Sequence, residues 1–505
     1  RDDANAGRKP QQTDNSQYMA GYNATFAARH DAVMTNNQPS DVSQKSLVYQ
    51  DVYNDEYAKD NQNYISGYKN YVANGSKVSD GSFQQMGYED TQNGYSDGLK
   101  GNSENSANYG YKQGYDMGKA FKDAYKTAYD DPIQSHTDQY TGTKDAIDTY
   151  DAAVQAFKQV SAEKKPADVR QESEAYQRAY KTAYDQSITE MNAGSQRFIN
   201  GLANEHENGT EADDRAYNQG YVNTNSGYQD GFAGKSVDEL SDDNKASATY
   251  MTGYNIGKGA QDFVNGLSQG TATSTDTNIP TDNLGNYNAG YQQAENGYNQ
   301  RKNGVTSDQL TQAQLNNPAF MSGFDMADAI QQGIQDAIAN PTKANSYNST
   351  SPHDRAYTAA LDALNDFKQG KRSDVSHQPA AYSDAYNDVY AQIIAKANNG
   401  TQQYLNGGQN GKAQSQNILD QAYTFGYNNS KNGSDKVYNA VNTGKLPSAN
   451  ELDDAQRNNA SFMAGFNNAN GAVAFDTNSY PKDSNADYQA GYSDASNGYD
   501  AGMSG

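Results

Sequence analysis

The sequence predicts an all-α protein: a repeat-built, elongated helical bundle packed by tyrosine and glycine faces, with little or no sheet. Three observations lead to this prediction. Leu, Ile, Val and Phe together account for only 59 of the 505 residues, whereas there are 41 Tyr and 45 Gly. Tyrosines recur at every fourth position, and long segments repeat. Because the aliphatic content lies below the roughly 20% at which disorder becomes the usual interpretation, tyrosine must do the packing if the chain folds.

Charge and cysteine content exclude several classes of protein. The chain carries 62 acidic against 39 basic residues, a formal net charge of −23, and no Cys. An acidic chain without a basic cluster repels phosphate backbones, so we expect no nucleic-acid partner. No stretch reaches the roughly 18 apolar residues of a membrane helix, so we expect no membrane span. Without thiols there are no disulfides and no thiolate metal sites.

An internal duplication sets the predicted domain boundaries. Residues 168–227 align without a gap on residues 374–433, and 22 of the 60 positions are identical. A third, shorter copy begins at Asp41, which precedes Tyr49 at the Asp-to-Tyr spacing of the other two copies. Each copy begins with an Asp-Val pair. The predicted division is an N-terminal segment, 1–40, followed by helical repeat units 41–167, 168–373 and 374–505.

The first recurring pattern places Tyr at every fourth residue, as at Tyr176 and Tyr180. This spacing puts successive rings on one side of an α-helix, one turn apart. Asp41 and Asp168 each have Gln three residues later, which predicts a capping box at the helix start. The third copy has Pro379 where the others have Ser, so its helix is expected to start there, with Pro in the first turn.

The second pattern is aromatic-x-x-Gly-aromatic. It occurs at 18–22, 64–68, 111–115, 217–221, 250–254, 287–291, 320–324, 423–427, 462–466 and 488–492. On a helical wheel at about 100° per residue, an aromatic ridge runs beside a glycine groove in the segment from Tyr217 to Gly234. The residues predicted to pack neighbouring helices are Tyr217, Gly220, Tyr221, Gly227, Tyr228, Tyr423, Gly426, Tyr427, Tyr488, Gly491, Tyr492 and Gly498.

Glycines at seven-residue spacing would let two helix backbones approach closely, while rings of one helix cover the groove of its neighbour. Tyr suits this role because it buries a large ring and keeps a hydroxyl for a hydrogen bond. Two alternatives remain open. Asn-Gly pairs such as Asn93-Gly94 and Asn303-Gly304 are typical of turns and helix ends, so the glycines could instead stop short helices. A wholly disordered polar chain is the other alternative.

Three stretches rich in Ser, Thr, Asn, Gly and charge are predicted to be exposed loops between helices. They are Ser268 to Pro280, Pro341 to Pro352 and Ala203 to Asp214.

The sequence contains no pattern typical of an enzyme. It lacks a phosphate-binding Gly-x-x-x-x-Gly-Lys-Ser/Thr loop, a Gly-x-Ser-x-Gly elbow and an HExxH motif. No histidine recurs at equivalent positions of the duplicated units, and none stands at metal-ligand spacing. We therefore predict no catalytic, cofactor-binding or metal-binding residue and expect the histidines at the surface. They are His30, His136, His206, His353 and His377.

A carbohydrate-binding function is an alternative, because exposed Tyr near Gly could stack on sugar rings. The Tyr and Gly content is similar to that of the glucan-binding repeats of bacterial surface enzymes. Those repeats, however, are built on hairpins with Trp and paired aromatics, and this chain has no Trp. Helix-to-helix packing is the favoured role of the tyrosines.

Motifs such as YMAGY, AYNQGY, YNAGY and AYSDAYNDVY recur in this acidic, Cys-free chain. In composition and style it resembles the repeat regions of very large secreted surface proteins of lactic acid bacteria. The resemblance implies a non-catalytic structural or adhesive segment, a stalk or adhesin, at an extracellular or cell-surface location. Glycans or proteins of a host or bacterial surface, and other copies of the chain, are the partners it implies. The alternatives are a carbohydrate-binding module using exposed Tyr and a disordered acidic spacer.

Overall fold

The computed structural model describes residues 1–73, 75–133, 144–269, 284–342, 351–412, 414–444, 446–477 and 484–504. Most of these residues are helical, and none of them lies in a strand. The predicted all-α class is therefore confirmed.

Nineteen α-helices follow one another along the described ranges. The first nine are α1 (Asp2–Asn5), α2 (Ser16–Met34), α3 (Leu47–Val72), α4 (Phe83–Lys100), α5 (Tyr109–Asp130), α6 (Lys144–Ser161), α7 (Glu174–Ile199), α8 (Ala212–Phe232) and α9 (Asp242–Ala246). The others are α10 (Ala248–Gln269), α11 (Leu284–Lys302), α12 (Gln312–Asn316), α13 (Pro318–Ala339), α14 (Pro352–Lys368), α15 (Ala380–Leu405), α16 (Ile418–Val441), α17 (Asp454–Asn458), α18 (Ala460–Asp476) and α19 (Ala486–Ser504).

The chain divides into two compact units. The first comprises Arg1–Ile199, Ala203–Asn225 and Ser241–Met251, and the second comprises Asn200–Leu202, Ser226–Leu240 and Thr252–Gly505. The repeat units predicted from the sequence divide the chain at other points. Their starts, Asp41, Asp168 and Asp374, each lie in a connector between helices. The division into repeats stays a prediction.

Consecutive helices run in the same direction where hydrogen bonds fix their register. Tyr382 in α15 donates to Asp362 in α14 at 2.6 Å, and Tyr386 donates to Asp366 at 2.8 Å. Both partners advance by one turn, so α14 and α15 are parallel. The connector 369–379 can span about 36 Å when extended, more than the roughly 26 Å length of α14. It therefore has enough residues to return along the helix.

The helix starts differ in detail from those that the sequence predicts. The carboxylate of Asp41 accepts a hydrogen bond from the Ser43 amide at 2.8 Å, which is an Asx turn in the connector. Asp168 makes the same kind of turn, and Ser46 caps α3. The predicted capping boxes are therefore wrong, because each Asp bonds a nearby amide before the helix begins. Pro379 is the N-cap of α15 and lies just outside its first turn.

The glycines fall into two classes: some lie inside helices, as the packing hypothesis predicts, and others follow helix ends, as the alternative predicts. Gly94 and Gly227 lie inside helices. Glycines spaced seven residues apart occur at 87, 94 and 101, at 220, 227 and 234, and at 290, 297 and 304. The last of each three, Gly101, Gly234 and Gly304, follows a helix end and has a φ of +72°, +80° or +91°, respectively. Only a residue without a Cβ adopts this left-handed conformation readily. The expectation that Gly234 lines the groove is therefore wrong.

The predicted loops are partly replaced by helix. α8 already begins at Ala212, within the stretch predicted as a loop from Ala203 to Asp214. α10 extends into the stretch from Ser268 to Pro280, and Pro352 begins α14. The remainder of the stretch from Ser268, and most of the stretch from Pro341 to Pro352, lies outside the described residues.

Alanine and tyrosine supply most of the buried hydrophobic side chains. Several of the largest completely buried side chains are tyrosines: Tyr53, Tyr64, Tyr150, Tyr287 and Tyr386. Such a core keeps phenol hydroxyls inside the protein, and each of these hydroxyls needs a hydrogen-bond partner.

Candidate functional site

The predicted packing residues of α8 lie at a close crossing with α7. A Cβ built on Gly220 would lie 1.9 Å from the backbone oxygen of Met191. A Cβ built on Gly194 would lie 1.9 Å from the backbone oxygen of Tyr217. Real Cβ atoms do not approach an oxygen this closely, so both positions need glycine. Tyr217 thus contributes its main-chain carbonyl to the crossing.

The other predicted clusters have the same geometry. A Cβ on Gly426 would lie 2.0 Å from the Ala397 oxygen, and one on Gly491 would lie 1.9 Å from the Asn468 oxygen. In return, the carbonyls of Tyr423 and Tyr488 face glycines on the preceding helices. These partner glycines, Gly194, Gly400 and Gly471, are absent from the predicted site because a helical wheel does not identify the neighbour.

The crossings are reciprocal, because each joins one glycine from each of two helices. In every such pair, each glycine faces the backbone carbonyl of the residue three positions before its partner glycine in the sequence. In every pair a Cβ would lie 1.8–2.3 Å from that oxygen. The pairs are Gly67/Gly87, Gly94/Gly114, Gly98/Gly118, Gly194/Gly220, Gly231/Gly257, Gly259/Gly290, Gly297/Gly323, Gly400/Gly426, Gly433/Gly465 and Gly471/Gly491. At such distances the glycine Cα–H groups can contact the opposing carbonyls as weak hydrogen bonds.

Edge-to-face aromatic pairs flank the crossings. The rings of Phe198 and Tyr221 lie 5.5 Å apart at 90°. Tyr427 and Tyr492 make equivalent pairs with the aromatic residue of the preceding helix, at 5.4 and 5.5 Å and interplanar angles of 85° and 86°. Perpendicular rings at this spacing add about 0.5–1.5 kcal/mol beyond the buried area. Tyr228 is buried and stacks on Phe232.

Two of the predicted glycines differ from the rest. Gly227 is buried inside α8. Gly498 is exposed in α19, and among the described residues no atom lies within 4 Å of a Cβ built there. The expectation that Gly498 packs against a neighbouring helix is therefore not met within the described chain.

Tyrosine hydroxyls form hydrogen bonds with the connectors that run back between consecutive parallel helices. The Tyr386 hydroxyl donates to Asp366 at 2.8 Å and accepts from the Ser373 amide at 3.0 Å. The Tyr53 hydroxyl likewise donates to Asp31 at 2.6 Å and accepts from the Ser40 amide at 2.9 Å. One phenol therefore joins the preceding helix, the connector and its own helix, which phenylalanine could not do.

The next tyrosine along the helix also bonds the connector. Tyr390 donates to the backbone oxygen of Lys371 at 2.9 Å, and Tyr427 donates to that of Gly408 at 2.9 Å. Tyr254 makes the equivalent bond in α10, at 2.6 Å to the backbone oxygen of Lys235. In α15, Tyr spacing of four therefore gives two hydroxyls, those of Tyr386 and Tyr390, that bind adjacent stretches of one connector.

These contacts perturb the phenol and carboxyl pKa values. Burial, and then the hydrogen bond to Asp31, raise the pKa of Tyr53 to about 12. Burial alone would raise the pKa of Asp366, but hydrogen bonds from Ser373 and Tyr386 and the nearby Lys371 ammonium together lower it. Hydrogen bonding to the charged carboxylate is the usual cause of such a depression.

The raised phenol pKa predicts alkaline unfolding. The folded pKa of Tyr53 exceeds the ordinary phenol value of about 10, so the protonated phenol stabilises the fold fully below that pH. This contribution is lost as the pH rises through about 12. We expect the urea midpoint to fall across this range, and to fall less in Tyr53→Phe, which has no phenol to ionise at this position. A variant with the same pH profile as the parent would contradict the assignment.

Within the first unit, the Glu163 side chain also links separate elements by hydrogen bonds. It has a left-handed backbone, with φ of 49°, in the connector after α6. Its carboxylate accepts hydrogen bonds from Asn223 Nδ2 at 2.6 Å, Ser247 Oγ at 2.6 Å and the Thr249 amide at 3.1 Å. The carboxylate therefore joins α8 to the start of α10, where a negative charge is also favoured by the helix dipole.

We expect Glu163→Ala to lower the free energy of unfolding by about 1–2 kcal/mol, because four donors, including the Thr249 hydroxyl, lose a charged acceptor at a partly exposed site. Glu172→Ala, at an exposed position, is the matched control and should change it by less than about 0.5 kcal/mol. Urea unfolding followed by circular dichroism measures both. Equal effects would show that the carboxylate of Glu163 has no special role.

A cavity of about 220 Å³ opens within the first unit. The Arg178 guanidinium lies in its wall, 5.7 Å from the ring centroid of Tyr71 and 5.3 Å from that of Tyr95. Asp145 and Glu174 add carboxylates to the lining. Aromatic faces beside charged hydrogen-bonding groups are typical of small-molecule sites.

The described histidines differ in their surroundings. His30, His206 and His353 each lie beside an aspartate. The side chain of His353 is only 12% exposed, contrary to the expected surface position, whereas His377 is exposed. His136 lies outside the described residues. No group of three or more metal-ligating side chains occurs in the described part of the chain.

None of the described helices combines the length and apolar character that crossing a bilayer requires. No protein-family model, curated protein or solved structure matches this chain.

Proposed function

We propose that this chain is a non-catalytic structural segment of an extracellular bacterial surface protein, built from repeated helices that pack through tyrosine and glycine faces. The observation that carries the proposal is the recurrence of one reciprocal glycine crossing in successive helix pairs. Repeat proteins are built in this way, because each unit buries its faces only against its neighbours. The distinctive residues of this chain are those that hold helices and connectors together.

Composition supports the extracellular part of the proposal. The net charge of −23 keeps the surface hydrated, and the absence of Cys makes the fold independent of thiol oxidation. The extensive helix of the described residues favours a folded segment over the disordered spacer. Tyrosine and alanine fill much of the core, so the fold needs few aliphatic residues such as Leu, Ile and Val.

Surface labelling tests the proposal. Antibodies raised against the purified chain should label intact, unpermeabilised cells of the strain that produces it, and treating those cells with an external protease should remove the label. Antibodies against a cytoplasmic protein of the same cells serve as the control. Labelling that appears only after permeabilisation would contradict the proposed location.

Carbohydrate binding is the second candidate, and the cavity beside Arg178 favours it. Tyr71 and Tyr95 offer ring faces there, and the charged groups offer hydrogen bonds to hydroxyls. A glycan array probed with the whole chain distinguishes the two candidates. Reproducible binding that Arg178→Ala abolishes, and that the exposed-site control Glu172→Ala retains, would favour the carbohydrate module. The structural proposal expects no such binding.

A further inference from the structure

A second cavity of the first unit, about 420 Å³ in volume, is lined by residues of α6, α7 and α8. Phe157, Ala212 and Ala216 form apolar parts of its wall, and Lys158 and Arg215 bring two cations to it. No carboxylate belongs to the described lining. In a chain with a net charge of −23, this cavity is therefore a local region of positive charge.

The charge of Arg215 is available to a ligand. Its Nε donates to the backbone oxygen of Thr210 at 2.7 Å, and that acceptor is neutral. In the same turn of α8, Asp213 accepts hydrogen bonds from a tyrosine of α5 and a glutamine of α7, and Asp214 contacts a histidine. Neither aspartate belongs to the cavity lining. A bound anion would therefore meet the guanidinium without a competing carboxylate on the described wall.

The hydroxyl of Ser187 adds a buried polar group to the wall. Ser187 lies in α7 and is 1% exposed, yet its Oγ forms no hydrogen bond with any described atom. Helical serines and threonines commonly donate to the carbonyl four positions earlier, as Thr189 does to Asp185 at 2.7 Å. Because an unpartnered buried hydroxyl costs free energy, this one indicates an acceptor that a ligand could provide.

The duplicated segment shows the same place with larger apolar side chains. In the ungapped alignment described above, Ser187 corresponds to Ile393 and Ala212 corresponds to Ile418. Both isoleucines are completely buried. The smaller side chains of the first copy instead line a cavity. The cavity is therefore a feature of one copy, and the sequence change that separates the copies is concentrated in its wall at these positions.

We propose that this cavity binds a small organic anion, a carboxylate carried on an apolar body. Arg215 and Lys158 supply positive charge, and a guanidinium offers a planar fork that matches the two carboxylate oxygens. Ser187 Oγ would donate to the same anion, and Phe157 would cover the apolar body. The volume falls within the range of roughly 300–1,000 Å³ that is typical of small-molecule sites.

Isothermal titration calorimetry of the whole chain with 2-naphthoate tests this inference. The matched neutral probe is 2-naphthamide, which has the same rings but no charge. We expect 2-naphthoate to bind with a dissociation constant of about 100 μM, as is reasonable for a ligand of this size, and 2-naphthamide to bind at least about tenfold more weakly. Arg215→Gln, which introduces the side chain of the aligned Gln421, should weaken 2-naphthoate binding at least about tenfold.

Arg170→Gln is the matched control, because the Arg170 side chain is 83% exposed and lies outside the cavity lining. This variant should bind 2-naphthoate as the parent does. Ala212→Ile introduces the side chain of the aligned Ile418 and should abolish binding by filling the cavity. Circular dichroism shows whether each variant is folded.

Three results would overturn the inference. The first is a parent chain that binds neither probe at concentrations up to about 5 mM. The second is equal affinity for the charged and the neutral probe, since the cations would then have no role. The third is undiminished 2-naphthoate binding in both Arg215→Gln and Ala212→Ile, since another site would then be responsible. None of these results would bear on the surface location proposed above.

Discussion

Gly220→Leu is expected to destabilise the first unit by at least about 3 kcal/mol, and Gly220→Ala by about 2 kcal/mol. In an isolated helix both changes would be favourable, because glycine costs about 0.8–1 kcal/mol relative to alanine. At the close crossing of α7 with α8, both substitutions are instead expected to lower the free energy of unfolding. The nearest atom to a new Cβ would be the Met191 carbonyl oxygen at 1.9 Å, and it belongs to the backbone of a packed helix. Neither helix can yield without losing the aromatic contacts beside the crossing.

Gly285→Ala is the matched control for this experiment. Gly285 lies in the first turn of α11, where no described atom is within 4 Å of a built Cβ. Alanine there should leave the free energy of unfolding unchanged or raise it by a few tenths of a kcal/mol. Urea unfolding followed by far-ultraviolet circular dichroism compares the variants. If Gly220→Ala raised the urea midpoint as Gly285→Ala does, the close crossing would be refuted.

Tyr386→Phe is expected to destabilise the second unit by about 2–3 kcal/mol, although it removes a single oxygen atom. The substitution keeps the ring and so leaves the packing intact. It leaves the Ser373 amide without this acceptor, and it deprives the nearly buried Asp366 carboxylate of one donor. Unmet hydrogen bonds of buried groups cost more than the original bond contributed.

Tyr438→Phe provides the comparison, since Tyr438 is 47% exposed and water can solvate its hydroxyl. That change should alter the free energy of unfolding by less than about 0.5 kcal/mol. Hydrogen exchange of the amides in connector 369–379 gives a second measurement, because protection at Ser373 should fall in Tyr386→Phe. Similar urea midpoints for the two variants would show that the connector does not depend on the phenol.

The sequence was informative about local structure and less so about partners. Tyr spacing of four predicted helix, and the position of Gly220 predicted close approach, because both depend on one helix alone. A helical wheel cannot name Gly194 as the partner, since that requires knowing which helix lies opposite. Nor does it reveal that neighbours run in parallel. Asp41 was misassigned because an N-cap and an Asx turn use the same side chain and the same short sequence spacing.

The reciprocity of the glycine crossing has an evolutionary consequence. In most protein interfaces the two surfaces differ. If a segment is moved elsewhere in the chain, its own surface and the surface that it covered therefore both lose their partner. Here both sides of the contact in Gly433/Gly465 follow the same rule as in Gly471/Gly491. Under the repeat construction proposed above, a helix together with its connector is an interchangeable module. Unequal recombination between such modules could lengthen or shorten the gene without the need to invent a new contact.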